Sequence, residues 1–196
     1  MYGSRPAIDK IDLSVPYFIH IPRNAGRSIE RWGRDNGYVW SYDAWDLYRD
    51  YGIHSCRSLN HIPKLLPFNV VYTFCVIRNP IDRFLSELNF VYGRYREYQL
   101  GKKEEYPVSM LIGYEKDRTY LDCHLIPQYE YVYPATTCIK FGDNLDKDLS
   151  TYLGEKVELP HIAESVYYYK KEDLSLRVLE RLNKLYEKDF KLWESL

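Results

Sequence analysis

Two short segments gather the residue types that bind and move anionic groups. Pro22-Arg23-Asn24-Ala25-Gly26-Arg27-Ser28 joins two guanidiniums and a hydroxyl to small residues that let the backbone approach a ligand, with helix-start N–H groups to face it. That combination is an anion cradle. It lacks the Lys and the glycines of the nucleoside-triphosphate loop GxxxxGKS/T, and taken alone it reads more simply as a Gly-containing turn with solvated arginines. The second segment, Arg78-Asn79-Pro80-Ile81-Asp82-Arg83-Phe84-Leu85-Ser86, puts Arg78 at the end of a strand and Ser86 two helical turns in, on the face of Asp82. Arg78 and Ser86 could clamp a second phosphate. Arg83 and Asp82 read as a helix-start ion pair that orients the loop.

Both segments need the same support, a strand that brings the chain to one edge of a sheet and a helix that carries it back. Tyr17 to Ile21 is a short β-forming run stopped by Pro22, and Ile29 and Trp32 then precede Gly37 at helical spacing. Val70 to Ile77 is the strongest strand, continuous enough to be buried on both faces as a central parallel strand is. After Asn79-Pro80, the residues Phe84, Leu85, Leu88, Val91 and Tyr92 recur at helical spacing. Downstream the pattern predicts a helix near Val108 to Tyr114, a strand over Thr137 to Phe141, a helix from Asn144 to Tyr152 and an irregular loop through Gly154 to Ser165. One amphipathic helix is predicted from Asp173, with Leu174, Val178, Leu182, Leu185, Tyr186 and Phe190 on its apolar stripe. Alternating strands and helices argue for a parallel α/β sheet.

Taken together, the two segments carry a resemblance. FIHIPRNAGRSIE resembles the 5′-phosphosulfate loop of Golgi-type carbohydrate sulfotransferases and their bacterial and viral relatives, usually FIHIPKTAGTS. VIRNPIDRFLSE is similar to the same family's 3′-phosphate segment, usually VRNPxxRxxS, and the order and separation of the two suit two βα units of one sheet. His124-Leu125-Ile126-Pro127-Gln128 with Tyr131 is similar to the family's HxxPQ segment, and Tyr186 to Phe190 to its C-terminal helix. The resemblance implies a P-loop-like three-layer α/β fold, a central parallel sheet flanked by helices, as one domain over residues 1–196. It implies binding of 3′-phosphoadenosine-5′-phosphosulfate, without a metal, and transfer of its sulfuryl group to an acceptor hydroxyl. Arg23 stands where the family usually has Lys, and Asn24 and Arg27 where it often has Thr; Arg keeps the charge and adds a bidentate fork.

By that resemblance Arg23, Asn24, Ala25, Gly26, Arg27 and Ser28 hold the 5′-phosphosulfate, and Arg78 and Ser86 the 3′-phosphate. Lys170 and Lys171 either close over the phosphates or are a solvated pair. His124 and Gln128 fall on the acceptor side. Arg23 and the loop N–H groups would stabilise charge on the transferring group, and a base must take the acceptor proton. His54 and His61 flank the region where relatives carry their base, with His54 the better match; Asp43 and Asp46 remain carboxylate candidates. His20, inside the first strand, reads as a core residue, and His161 offers no signal. A zinc site from His54, Cys56 and His61 fits no common spacing and lacks a fourth ligand.

The 196 residues, 45% hydrophobic and 28% charged, are enough for a core without disulfide or metal help. With 27 Lys plus Arg against 28 Asp plus Glu, no global basic field draws the chain to nucleic acid or an anionic membrane, so an anion site must be local. No apolar run approaches a membrane span or a signal peptide, which predicts a cytoplasmic protein and suits a bacterial or viral relative. The four scattered cysteines are expected to be reduced. The acceptor is expected to be a saccharide, since tyrosine-rich loops suit sugar stacking, though a phenol, a tyrosine peptide or a lipid head group would fit as well. The competing readings are a P-loop-like nucleotide kinase, against which the missing GKS/T counts, and a nucleotide-binding module without chemistry.

Overall fold

Thr73–Ile77 is apolar on both faces and forms β2, the middle of a three-stranded parallel sheet in the order β1-β2-β3, with β1 at Tyr17–Ile19 and β3 at Thr136–Lys140. The computed structural model describes residues 14–38, 40, 72–95, 103–162 and 166–196. Register is set by Phe18 opposite Phe74, and by Cys75 opposite Cys138. The helices are α1 (Gly26–Asp35), α2 (Pro80–Tyr95), α3 (Tyr106–Lys116), α4 (Leu145–Leu153), α5 (Leu176–Leu185) and α6 (Glu187–Glu194).

Alternation along β2 sends its side chains to two separate cores. Cys75 and Ile77 pack with Phe84 and Leu88 of α2, Leu111 of α3 and Leu182 of α5, while Phe74 and Val76 pack with Trp32 of α1 and Leu149 of α4. Helices therefore cover both faces, as a buried parallel sheet requires. Among the described residues, no helix is long and apolar enough to cross a membrane.

Three expectations change in detail. β1 stops at Ile19, so His20 and Ile21 leave the ladder and His20 is freed from the strand. The expected strand from Val70 is described only from Thr73 onward. The single C-terminal helix is instead a short 3-10 turn at Lys171–Asp173 followed by α5 and α6, which break at Tyr186. No Pro or Gly marks that break. Tyr186 is buried and its hydroxyl donates to the Leu125 carbonyl at 2.9 Å, which fixes the joint and re-aims α6 so that Asp189 reaches the loop before β3.

Asp189 is fully buried and accepts hydrogen bonds from the backbone N–H of Gln128 at 2.7 Å and of Tyr129 at 2.9 Å. Burial pushes its carboxyl above the usual carboxylate value, and the two N–H groups and Arg83 oppose that shift. A folded-state carboxyl so raised keeps a proton that the unfolded chain has lost, so stability falls as pH climbs through the interval just above the ordinary Asp value. Asp189→Ala strands two buried donors, at about 1–3 kcal/mol each, and is expected to cost about 2–5 kcal/mol in urea unfolding. Asp189→Asn should flatten the pH-dependent decline. A loss below about 1 kcal/mol in the Ala variant would mean that the two N–H groups find other partners.

Cys75 and Cys138 are free thiols, but Cys123 is disulfide-bonded, its partner lying outside the described residues. The expectation of reduced cysteines is corrected there. Leu121, Asp122 and Cys123 have φ of 54°, 58° and 65°, a run of left-handed residues that costs about 1–2 kcal/mol each.

Candidate functional site

The chain turns sharply between β1 and α1, and two non-glycine residues there, Arg23 and Ala25, have left-handed φ of 71° and 61°. Such residues cost about 1–3 kcal/mol each unless the surroundings hold them. Here buried side chains do. The Asn24 amide donates to the Val76 carbonyl and to Gln128 Oε1, both at 2.6 Å. Arg83 donates to the Pro22 carbonyl at 2.9 Å, and Arg78 to the Arg23 carbonyl at 3.1 Å. No side chain caps α1; the Ser28 N–H turns back to the Ala25 carbonyl at 2.9 Å. A Cβ at Gly26 would lie 2.4 Å from Nε2 of His20, so a side chain there would have to displace that ring.

The two segments that the sequence singled out meet at this turn. The Arg23 guanidinium donates to Ser86 Oγ at 3.0 and 3.2 Å and to the Ser86 carbonyl at 2.9 Å, and it lies 3.5 Å from a Glu87 carboxylate oxygen. Arg23 also stacks over Phe90 at 4.7 Å, and Arg78 over Phe141 at 4.6 Å. Burial lowers the affinity of both guanidiniums for their protons. Glu87 opposes this at Arg23 and Asp82 at Arg78, while neighbouring guanidiniums add to it. Crowded, partly desolvated cations gain from an anion that enters between them.

That anion would enter a cavity of about 640 Å³, within the usual range for ligand pockets. Arg23, Ala25, Gly26, Arg27 and Ser28 line it from the first segment. Arg78 and Ser86 line it from the second, and His124 joins them. His20, His161, Phe90 and Phe141 also line it, as do two carboxylates, Asp143 and Asp146.

Other expected residues take different places. Asn24 and Gln128 are fully buried, and neither lines the cavity. Gln128 donates to the Arg78 carbonyl at 2.9 Å and accepts from the Arg78 N–H at 3.0 Å, so its amide splices the end of β2 to the first segment rather than facing an acceptor. Asn24 likewise acts on the loop from inside. Lys170 and Lys171 are exposed at the start of the C-terminal 3-10 turn, outside the cavity wall. Arg83 is buried among carbonyls, donating to Pro22 and His124, which replaces the expected pairing with Asp82 as the means of orienting the loop. His54, His61, Asp43, Asp46 and Cys56 lie outside the described residues.

Glu87 is the functional residue that sequence reasoning missed. Only 1% exposed, it accepts from His124 Nδ1 at 2.9 Å as well as facing Arg23, so one carboxylate orients a cavity histidine and a cavity arginine. It reads in sequence as one more charge on a helix, and nothing there marks it as buried. Phe90 had a signal, since it sits four residues after Ser86 on the same helical face. Phe141 had one too, at the carboxyl end of β3 where ligands of parallel sheets sit. Compared with protein-family models, with curated proteins and with solved structures, the chain finds no match in any of the three.

Proposed function

We propose that this cavity binds 3′-phosphoadenosine-5′-phosphosulfate on a P-loop-like α/β scaffold and that the protein transfers the sulfuryl group to an acceptor hydroxyl, with a saccharide as the acceptor. The observation that carries the reading is the convergence of Arg23 and Ser86, 63 residues apart in sequence, with Arg78 on one cavity at the carboxyl ends of parallel strands. A donor with two separate phosphate-type groups needs two cationic anchor points. Arg23 with the N-terminus of α1 is suited to the 5′-phosphosulfate, and Arg78 with Ser86 to the 3′-phosphate. The Arg23–Ser86 contact supports this by joining the two segments at one cavity.

In this reading the chain's own groups do three things. Arg23 meets charge that builds on the sulfuryl and bridging oxygens, from a low-dielectric site that enlarges the effect. The rigid turn holds donor and acceptor in line. A histidine takes the acceptor proton: His54 by the sequence, with His124 a second candidate because Glu87 orients its ring at the cavity wall.

Thermal melting with nucleotides tests the donor half. At a concentration one hundred times Kd a ligand adds about 2.7 kcal/mol of stability, and for a domain of this size each kcal/mol moves Tm by about 2–4 °C. 3′,5′-Adenosine bisphosphate is expected to give that shift, and 5′-adenosine monophosphate much less at the same concentration. Arg78→Ala should erase the difference. Equal shifts by both nucleotides in the native protein would remove the 3′-phosphate site. Incubation with radiolabelled sulfuryl donor and a panel of glycans and phenols tests the transfer half, and tight bisphosphate binding without transfer would leave a nucleotide-binding module.

A further inference from the structure

The register of β2 and β3 puts Cys75 directly opposite Cys138, with their sulfurs 3.7 Å apart and both thiols free. Neither faces the cavity, and the proposed transfer uses neither. We propose that Cys75 and Cys138 form a dithiol modification site, which a low-molecular-weight disulfide such as oxidised glutathione converts into a cross-strand disulfide. The inference stands independently of the sulfuryl-transfer reading.

The geometry allows the bond. Neighbouring strands lie about 4.8 Å apart, inside the Cα separation of about 4.4–6.8 Å that a disulfide spans. The sulfurs must close from 3.7 Å to about 2.05 Å, which side-chain rotation and a small strand adjustment can supply.

The pair is also asymmetric in a way that assigns the steps. Cys75 is fully buried, whereas Cys138 is half-buried on the outer strand β3, so the attacking reagent meets Cys138 first. The shared sulfur contact holds Cys138 below the usual thiol value, while that contact and burial hold Cys75 well above it. Cys138, the more exposed and the more readily ionised of the two, is the one that reacts as a thiolate. It attacks one sulfur of the reagent, forming a mixed disulfide and expelling one thiolate. That thiolate, or solvent, takes the Cys75 proton. Cys75 then attacks the Cys138 sulfur and expels the second thiol. Two protein thiols are oxidised and one small disulfide is reduced to two thiols. The bond would draw β2 and β3 together just below the point where the Phe141 N–H donates to the Ile77 carbonyl at 2.8 Å and Arg78 stacks over Phe141.

The folded full-length protein is incubated with oxidised glutathione, quenched in acid, alkylated, digested and mapped by mass spectrometry, which reads this pair separately from Cys56 and Cys123. A Cys75–Cys138 cross-linked peptide is expected, and dithiothreitol should abolish it. Cys75→Ser should stop at glutathione on Cys138, and should form that adduct at least about tenfold faster than Cys138→Ser forms one on Cys75. Cys75→Ala keeps the buried position apolar and gives the same trapped adduct if the Ser variant fails to fold. Two alkylatable thiols persisting at this pair in the treated native protein would overturn the proposal, as would an adduct trapped on Cys75 and not on Cys138.

Discussion

Arg23→Ala is expected to lower the rate of sulfuryl transfer by about 10²–10³, the usual scale for removing one donor aimed at developing charge, while Kd for 3′,5′-adenosine bisphosphate changes only a few-fold. The asymmetry follows from where the charge is. Ground-state phosphates are held in addition by the N-terminus of α1 and by Arg78, whereas the sulfuryl and bridging oxygens gain charge chiefly in the transition state. Arg23 is well prepared for that task, since Ser86 and Glu87 fix its guanidinium before any ligand arrives. Arg23→Lys should keep much of the rate because the ammonium restores the charge, with some loss because Lys cannot fork onto both Ser86 oxygens. Single-turnover kinetics read the transfer step, and bisphosphate titration reads binding. Near-normal turnover in Arg23→Ala would shift the role to Arg27, which faces the same cavity.

The proton acceptor carries the other large effect. His54→Ala is expected to reduce turnover by about 10²–10⁴ with bisphosphate binding intact, because a base contacts the acceptor and not the donor phosphates. The base must be unprotonated to act, so kcat/KM falls on the acid side, and that limb should vanish in the variant. His61→Ala serves as the control from the same stretch. His124 supplies the opposing outcome: an active His54→Ala beside dead His124→Ala, with Glu87→Gln moving the acid limb, would make the Glu87-oriented imidazole the base. If all the histidine variants stayed active, Asp43 or Asp46 would take the role.

The parts of this molecule that local pattern controls were legible in its sequence. An unbroken apolar run made β2 the central strand, and Pro80 with its helical spacing started α2 where expected. The two segments that meet at the cavity were found as segments because small residues and arginines at strand ends are a local signal. What escaped depends on contacts between distant residues. Asn24 and Gln128 look like ligand groups in a one-dimensional pattern, yet they bond each other across 104 residues and turn away from the cavity. Glu87 looks like a solvated charge and is buried between two partners. The joint at Tyr186 carries no breaker residue, because a tertiary hydrogen bond makes it. Asn24, Gln128 and Glu87 escaped because their partners come from other elements.

The same long reach governs how the protein must come to exist. Thr73 meets Thr136 across 63 residues, and Tyr17 pairs with Thr73 across an interval of comparable length, so neither strand pair among the described residues can form as a local hairpin. The entropy of closing both loops must be met before the sheet repays it, which puts folding among the slow, non-local topologies. The cavity lies where all three strands end, so it has no partial form. A nucleotide that binds it can trap only chains that have finished folding, and during refolding it should slow unfolding and leave the early folding rate unchanged.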